Sequence, residues 1–219
     1  MVGKNLVRST DRNLVCKFRQ PRKKSMVIRE IPTNGAWDQA VSLDKHIVRS
    51  VPIGKNEQGY MQFDTERTEI GEAVFQLKYR LDFSKVEYLA KQIVYALTSN
   101  NFPKIEVVIP MPASKARTKQ PVTEIARKVA ELLNIDFNEQ TLEKIKPTGA
   151  MKDLETYAER VAALAGCFEV RDAMSKGPWN ALVIDDLYDT GASLEAACFT
   201  LRKYGNIRNI SAIAITRRH

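Results

Sequence analysis

The feature that most constrains the fold is an alternation that begins at about residue 69. From there, short, mostly apolar runs at 105–109, 181–184 and 210–215 alternate with longer segments whose apolar residues recur at helical spacing. A strand covered by helices on both faces has this composition, because neither of its faces meets water. The alternation predicts an α/β fold with a mostly parallel sheet flanked by helices.

Three of the longer segments are predicted to be helices. Ser84 and Glu87 form a capping-box pattern ahead of apolar residues at helical spacing, which predicts a helix over 84–98. The same spacing predicts helices over 122–133 and 194–201, and 168–170 has the composition of a further strand.

The first 68 residues differ in pattern from the rest. Turn-forming residues separate short alternating stretches such as 60–63, from which a hairpin is the one element that can be placed. We therefore expect a basic, hairpin-containing N-terminal extension or hood over 1–68 and a second domain over 69–219.

Positive charge is concentrated at the N-terminus. Residues 1–30 carry nine Lys or Arg and two Asp or Glu, so they hold +7 of the net charge of +8. Such an arm can neutralise the phosphates of a nucleic acid, which makes nucleic acid a candidate partner. A solvated flap or a subunit-contact arm is the alternative, and it is favoured because Phe18 is the only aromatic residue within the arm.

Two classes of protein are excluded by composition. No apolar run approaches the roughly 18 residues that a bilayer span requires, and the start is charged, so a cytoplasmic protein without a membrane partner is expected. Cys16, Cys167 and Cys198 are odd in number and lack CxxC spacing, which argues against a disulfide framework or a four-cysteine zinc site.

The residues best suited to bind a ligand lie in one segment, 183–193, between a predicted strand and a predicted helix. Its sequence is Val-Ile-Asp-Asp-Leu-Tyr-Asp-Thr-Gly-Ala-Ser. Open α/β sheets bind ligands at this point. The free amides of a helix start, bordered by small and hydroxyl residues, suit a phosphomonoester. Asp185 and Asp186 lie just upstream, where they can meet vicinal hydroxyls of an attached sugar, so the segment predicts a ribose 5-phosphate site.

Other strands also end in two acids. A Walker-B strand and the acidic cluster of a receiver domain are examples, but neither needs the Thr-Gly-Ala-Ser that follows here, and the chain has no Gly-x4-Gly-Lys-Ser/Thr loop. A plain strand-to-helix turn at the surface is the remaining alternative.

The eleven residues resemble the phosphoribosyl-pyrophosphate (PRPP) signature of type I phosphoribosyltransferases. Over roughly 70–219 the chain is similar to the ComF-like, competence-associated branch of that superfamily. Four pieces correspond in order: Leu77-Lys78-Tyr79-Arg80, 108–112 with Lys115 and Arg117, the stretch from Arg160 to Phe168, and the signature. Members of this branch usually begin with a four-cysteine zinc module, in place of which this chain has the cysteine-poor residues 1–68.

The resemblance implies Mg²⁺-dependent transfer of ribose 5-phosphate from PRPP to an unidentified acceptor, with release of pyrophosphate. Asp185 and Asp186 would be the catalytic pair, holding ribose hydroxyls directly or through Mg²⁺-bound water. The residues that would bind the 5-phosphate are Asp189, Thr190, Gly191, Ala192 and Ser193. The residues that would bind pyrophosphate are Met111, Pro112, Ala113, Ser114, Lys115 and Arg117.

A mobile lid is expected within 144–160, with Lys144, Lys146, Lys152 and Arg160 as the residues that close over pyrophosphate. Each lysine has a simpler alternative as a solvated charge, and Asp189 has one as an N-cap. We also expect a homo-oligomer. A second hypothesis keeps the PRPP or nucleotide site as a sensor without turnover, with a basic arm that contacts nucleic acid or protein.

Overall fold

The computed structural model describes residues 26–113, 117–146, 156, 159, 163–164, 166–171, 174 and 176–219. The helices of this part of the chain are α1 Glu69–Arg80, α2 Lys85–Ser99, α3 Pro121–Leu133 and α4 Ala192–Arg202. The strands are β1 Arg29–Glu30, β2 Gln39–Lys45, β3 Ile47–Lys55, β4 Met61–Arg67, β5 Val107–Pro110, β6 Asp136–Phe137, β7 Leu142–Lys144, β8 Phe168–Val170, β9 Trp179–Tyr188 and β10 Ile207–Arg217.

The central sheet has the strand order β1-β2-β10-β9-β5-β6. β1 pairs with β2 in antiparallel fashion, and the remaining neighbours, β2 to β10, β10 to β9, β9 to β5 and β5 to β6, are parallel. The mostly parallel sheet expected from the alternating pattern is therefore confirmed.

Alternate residues of β9 pack on opposite faces of the sheet. Leu182 and Ile184 belong to the core that also contains the apolar residues of α1, α2 and α3. Ala181 and Val183 belong to the core on the other face, which contains those of α4. Both faces are covered, which is the physical reason for the unbroken apolar run at 181–184.

The residues before 68 contribute to two sheets. β3 and β4 form the predicted antiparallel hairpin, which is a separate two-stranded sheet. β1 and β2 instead join the central sheet, where β2 lies beside β10. The sequence did not indicate these two strands, because the apolar residues of β2 are interrupted by Ser42 and flanked by Gln39 and Asp44.

Two details of the helical region differ from the predictions. Helix α1 was not predicted; Thr68 caps it by accepting a hydrogen bond from the Gly71 amide at 2.9 Å. The capping box predicted for α2 is not formed. Ser84 has a helical backbone conformation, and its hydroxyl donates to the Asp82 carboxylate at 2.6 Å. This acceptor is only two residues away in the chain, so it competes successfully with the helix amides. Glu87 pairs with Lys91 at 2.7 Å.

The helices in the described ranges are all too short or too polar to cross a bilayer. Cys167 and Cys198 are buried free thiols, and Cys16 lies outside the described residues. Burial raises the pKa of the Cys198 thiol, so this group stays protonated and packs as a small apolar side chain.

Candidate functional site

The carboxyl ends of the four central parallel strands meet at one edge of the sheet. β9 extends further than β5, because their pairing ends at Pro110 with Ile184, whereas β9 continues beside β10 as far as Tyr188. The amide of Met111 makes one last bond to the Ile184 carbonyl at 2.9 Å, after which the chain turns away. The last four residues of β9 therefore have an open side, next to the turn that follows β5.

Asp185 and Asp186 occupy this open stretch of β9 and leave the strand on opposite sides. The sequence suggested that the strand ends before them, but it includes both, so the side-chain alternation of a strand separates them. The Asp186 carboxylate lies on the face of α1, where its Oδ2 pairs with Lys78 Nζ at 2.5 Å. Asp185 points to the other side, and its Oδ1 accepts the Asp186 amide at 2.8 Å.

The two carboxylates have different electrostatic surroundings. Burial, and next the charge of Asp186, raise the pKa of Asp185 to about 7. Burial by itself would lower the pKa of Lys78, but the charge of Asp186 and the hydrogen bond to its carboxylate outweigh burial, so the pKa of Lys78 is raised. Asp186 is thus paired with the Lys78 cation, whereas Asp185 titrates close to neutral pH.

A cavity of about 310 Å³ lies against the open side of β9. Arg117 is fixed at this cavity, because its Nη1 donates to the Lys78 carbonyl at 3.0 Å. Two cationic side chains therefore line the cavity with the two acids, and one of them, Lys78, is paired directly with Asp186. The lining residues are Lys78, Tyr79, Met111, Pro112, Ala113, Arg117, Gln120, Pro121, Val122, Asp185 and Asp186. Of the residues predicted for this turn, Ser114 and Lys115 lie outside the described ranges.

The turn between β9 and α4 forms a second, smaller cavity of about 140 Å³. Gly191 is the N-cap of α4, with a φ of 83°, and as a glycine it has no side chain with which to cap the first amides of the helix. The Tyr188 ring lies against Gly191, where a Cβ would come within 2.7 Å of Cε2. The lining residues are Asp185, Leu187, Tyr188, Asp189, Thr190, Gly191, Ala192, Ser193 and Leu194.

Asp189 is not the N-cap of α4. Its carboxylate turns toward the C-terminal segment, where it pairs with Arg218 Nη1 at 3.0 Å. The acid therefore pairs with a cation of the C-terminal segment beside this turn. Arg218 follows β10 and was not singled out by the sequence.

The lid candidates divide into described and undescribed residues. Lys144 belongs to β7 and lines a third cavity of about 790 Å³, together with Arg171 and the turn after β5. Burial lowers the pKa of Lys144, against the opposing charges of Cys167 and Asp185. Lys146 is exposed, and Lys152 and Arg160 lie outside the described residues.

Two side chains reach this edge from distant parts of the chain. Lys78 comes from α1 and pairs with Asp186. In the sequence, only the family resemblance at 77–80 pointed to Lys78 as a site residue. His46 follows β2, and its Nδ1 lies 3.3 Å from Thr216 Oγ1 on β10. Nothing near His46 in the sequence points to this site, because β2 and β10 are paired only through the sheet.

Searches for similar proteins found solved structures only: no family model and no curated protein matches the chain. An adenine phosphoribosyltransferase is similar at 15% identity, over 80% of this chain and 95% of that chain, with a TM-score of 0.39. The enzyme from Trypanosoma brucei, in complex with AMP, pyrophosphate and ribose-5-phosphate, is similar at 14% identity, over 88% and 86%, with a TM-score of 0.41. The enzyme from Leishmania donovani is similar at 14% identity, over 87% and 86%, with a TM-score of 0.39.

Proposed function

We propose that the chain is a phosphoribosyltransferase that binds PRPP across Asp185. The observation that carries the proposal is that Asp185 lines both the cavity beside Lys78 and Arg117 and the cavity of the turn at 189–193. A ribose at Asp185 would place its 5-phosphate at the first amides of α4 and its diphosphate beside the two cations. PRPP carries a phosphate at one end of a sugar diol and a diphosphate at the other. The site has the matching order: the turn at 189–193, then Asp185, then Lys78 and Arg117.

The residues of the site suit the charge changes of the transfer. As the C1–O bond to diphosphate breaks, positive charge develops on the sugar and negative charge on the leaving group. The Asp185 and Asp186 carboxylates favour the first of these. Lys78 and Arg117 favour the second, and Arg117 is already oriented by its bond to the Lys78 carbonyl.

Magnesium fits this site as an ion that arrives with the substrate. The described residues contain no group of three His, Cys, Asp or Glu side chains that could hold a metal by themselves. Mg²⁺ commonly keeps several waters and binds through one or two carboxylates together with substrate phosphates. Asp185 and Asp186 would hold it in that way, and when bound it would neutralise charge on the diphosphate.

Calorimetric titration with PRPP, with and without Mg²⁺, tests the proposal. We expect Mg²⁺-dependent binding that the double variant D185N/D186N weakens at least about tenfold, or roughly 1.4 kcal/mol. The matched control is D64N, which removes an exposed carboxylate from the hairpin. Equal affinity of native protein and double variant would refute the assignment of the ribose to the two acids.

Catalytic turnover is tested separately from binding. Release of pyrophosphate with a panel of acceptors, namely purine bases, pyrimidine bases and ammonia, would distinguish a transferase from a PRPP sensor. The ComF-like branch, a homo-oligomer, a cytoplasmic location and nucleic-acid binding through 1–30 stay predictions. For the last of these, residues 1–25 lie outside the described part of the chain.

A further inference from the structure

A groove of about 690 Å³ adjoins the cavity that holds the two acids. Lys78, Tyr79 and Arg117 line both, so the two spaces meet at these three side chains. The residues that line the groove but not the cavity are Leu81, Phe83, Thr118 and Lys119. We call the space with the two acids the acid cavity and the other space the aromatic groove.

The aromatic groove has apolar side chains that the fold positions without burying. Tyr79, in the last turn of α1, is 60% exposed, and Leu81, which ends that helix, is 58% exposed. The Tyr79 ring packs against Phe75 one turn earlier, with 5.3 Å between the ring centroids, and this contact orients it. Phe83 packs partly into the core on this face of the sheet. Aromatic surface is therefore held open beside the acid cavity.

The charges in the aromatic groove are of one sign. Of its seven described lining residues, three are Lys or Arg and none is Asp or Glu. Lys78 is paired with Asp186, but within the described ranges neither Arg117 nor Lys119 has an acidic partner. Arg117 donates to the Lys78 carbonyl at 3.0 Å, and Lys119 Nζ lies 5.6 Å from the centroid of the Phe83 ring. The groove therefore favours an anionic group that is attached to an aromatic one.

Across the two spaces the chemical groups follow a definite order. Asp185 and Asp186 line the acid cavity and not the groove, Lys78 and Arg117 lie where the two meet, and Phe83 lines the groove and not the cavity. A nucleoside diphosphate with bound Mg²⁺ has the same order, because a metal on the phosphates is followed by the diphosphate and then by a sugar with a flat base. Bases of any identity stack on aromatic side chains, since every base has a π-face.

We infer that a nucleoside diphosphate binds across the two spaces in place of PRPP, an inference that rests on the proposed function. Its diphosphate would lie beside Lys78 and Arg117, where the proposed function places the diphosphate of PRPP, and its base would lie against Tyr79 and Phe83. Its sugar would lie on the groove side, away from the turn at 189–193. No bond is made or broken in this complex, so the nucleotide is a competitive inhibitor of PRPP binding.

Calorimetry with ADP and with inorganic pyrophosphate, both in the presence of Mg²⁺, tests where the base lies. Y79A should weaken ADP binding at least about tenfold, because it removes a stacking surface, and should leave pyrophosphate binding within about twofold. Y79F keeps the ring and should bind ADP within about threefold of the native chain. The matched control is Y95A on α2, because Tyr95 is also 60% exposed; it should change neither affinity.

Competition tests whether the nucleotide and PRPP share the acid cavity. ADP at about ten times its Kd should raise the apparent Kd of PRPP for the native chain about tenfold, as mass action requires when two ligands exclude each other. An unchanged Kd of PRPP would show that the two ligands bind at separate places, and would overturn the inference.

The possible failures are distinguishable. Absence of ADP binding, equal ADP affinity of Y79A and the native chain, or loss of both ADP and pyrophosphate binding in Y79A would overturn the inference, while PRPP binding that depends on Asp185 and Asp186 still supports the proposed function. Binding of ADP that depends on Tyr79, without any binding of PRPP, would instead refute the proposed function and the competition, and would leave the aromatic groove as a nucleotide site.

Discussion

Replacing Asp185 by asparagine should remove much of the pH dependence of the protein's stability between pH 5 and 8. Asparagine has nearly the same shape, and its side-chain oxygen can still accept the Asp186 amide. What the substitution removes is a carboxyl group whose pKa is raised from 3.8 to about 7 by burial and by Asp186. The variant therefore isolates the free-energy cost of ionising this one group in the folded state.

The sign and size follow from proton linkage. Because the folded-state pKa lies above the unfolded value, the folded chain binds more protons between these two pKa values. The contribution of Asp185 to stability is fully present below the unfolded pKa and is lost as the pH rises through about 7. With 1.36 kcal/mol for each pKa unit, the loss between pH 5 and pH 8 is about 3 kcal/mol.

Urea unfolding at a series of pH values measures this effect. The free energy of unfolding of D185N relative to the native chain should rise by about 3 kcal/mol between pH 5 and 8, with an unchanged m-value. The control variant D64N, at an exposed carboxylate, should give a difference that stays within about 0.5 kcal/mol over the same range. Parallel curves for D185N and the native chain would refute the assignment of a raised pKa to Asp185.

Three further substitutions test the packing of the site. G191A should lower the free energy of unfolding by about 1–3 kcal/mol in denaturant titrations, because its Cβ would meet the Tyr188 ring and the φ of 83° is unfavourable for alanine; an unchanged midpoint would show that Tyr188 yields freely. K78M should weaken binding of Mg²⁺-PRPP at least about tenfold in calorimetry, since it removes a cation from the cavity and leaves Asp186 unpaired; the i,i+4 pair variant K91M is the control, and equal losses in both would contradict a specific role for Lys78. L81N should raise the thermal midpoint by a stabilisation of up to about 1 kcal/mol, because Leu81 ends α1 in the left-handed region with an exposed side chain, where Asn134 already ends α3; a lower midpoint would show that the Leu81 side chain makes contacts worth more than its backbone strain.

Several elements after residue 69 were predictable from the sequence, for a reason visible in β9 and β5. Their residues pack against helices on both faces, so burial selects apolar side chains without interruption at 107–109 and 181–184. The helices at 121–133 and 192–202 were equally visible, because each buries one stripe and exposes the opposite one. β1 and β2, at one edge of the central sheet, were not predictable, since β2 is apolar only in its middle.

The sequence by itself determined which residue types stand at the end of β9, namely two adjacent acids followed by a turn of small residues at a helix start. It could not determine where the acids point, because that depends on the strand continuing through them to Tyr188, so that Asp185 and Asp186 face opposite sides. Only the tertiary structure brought Lys78 to Asp186, Arg117 to Lys78, and His46 to Thr216. These partners are far apart in sequence, and they become neighbours because parallel strands align their carboxyl ends while α1 packs across them.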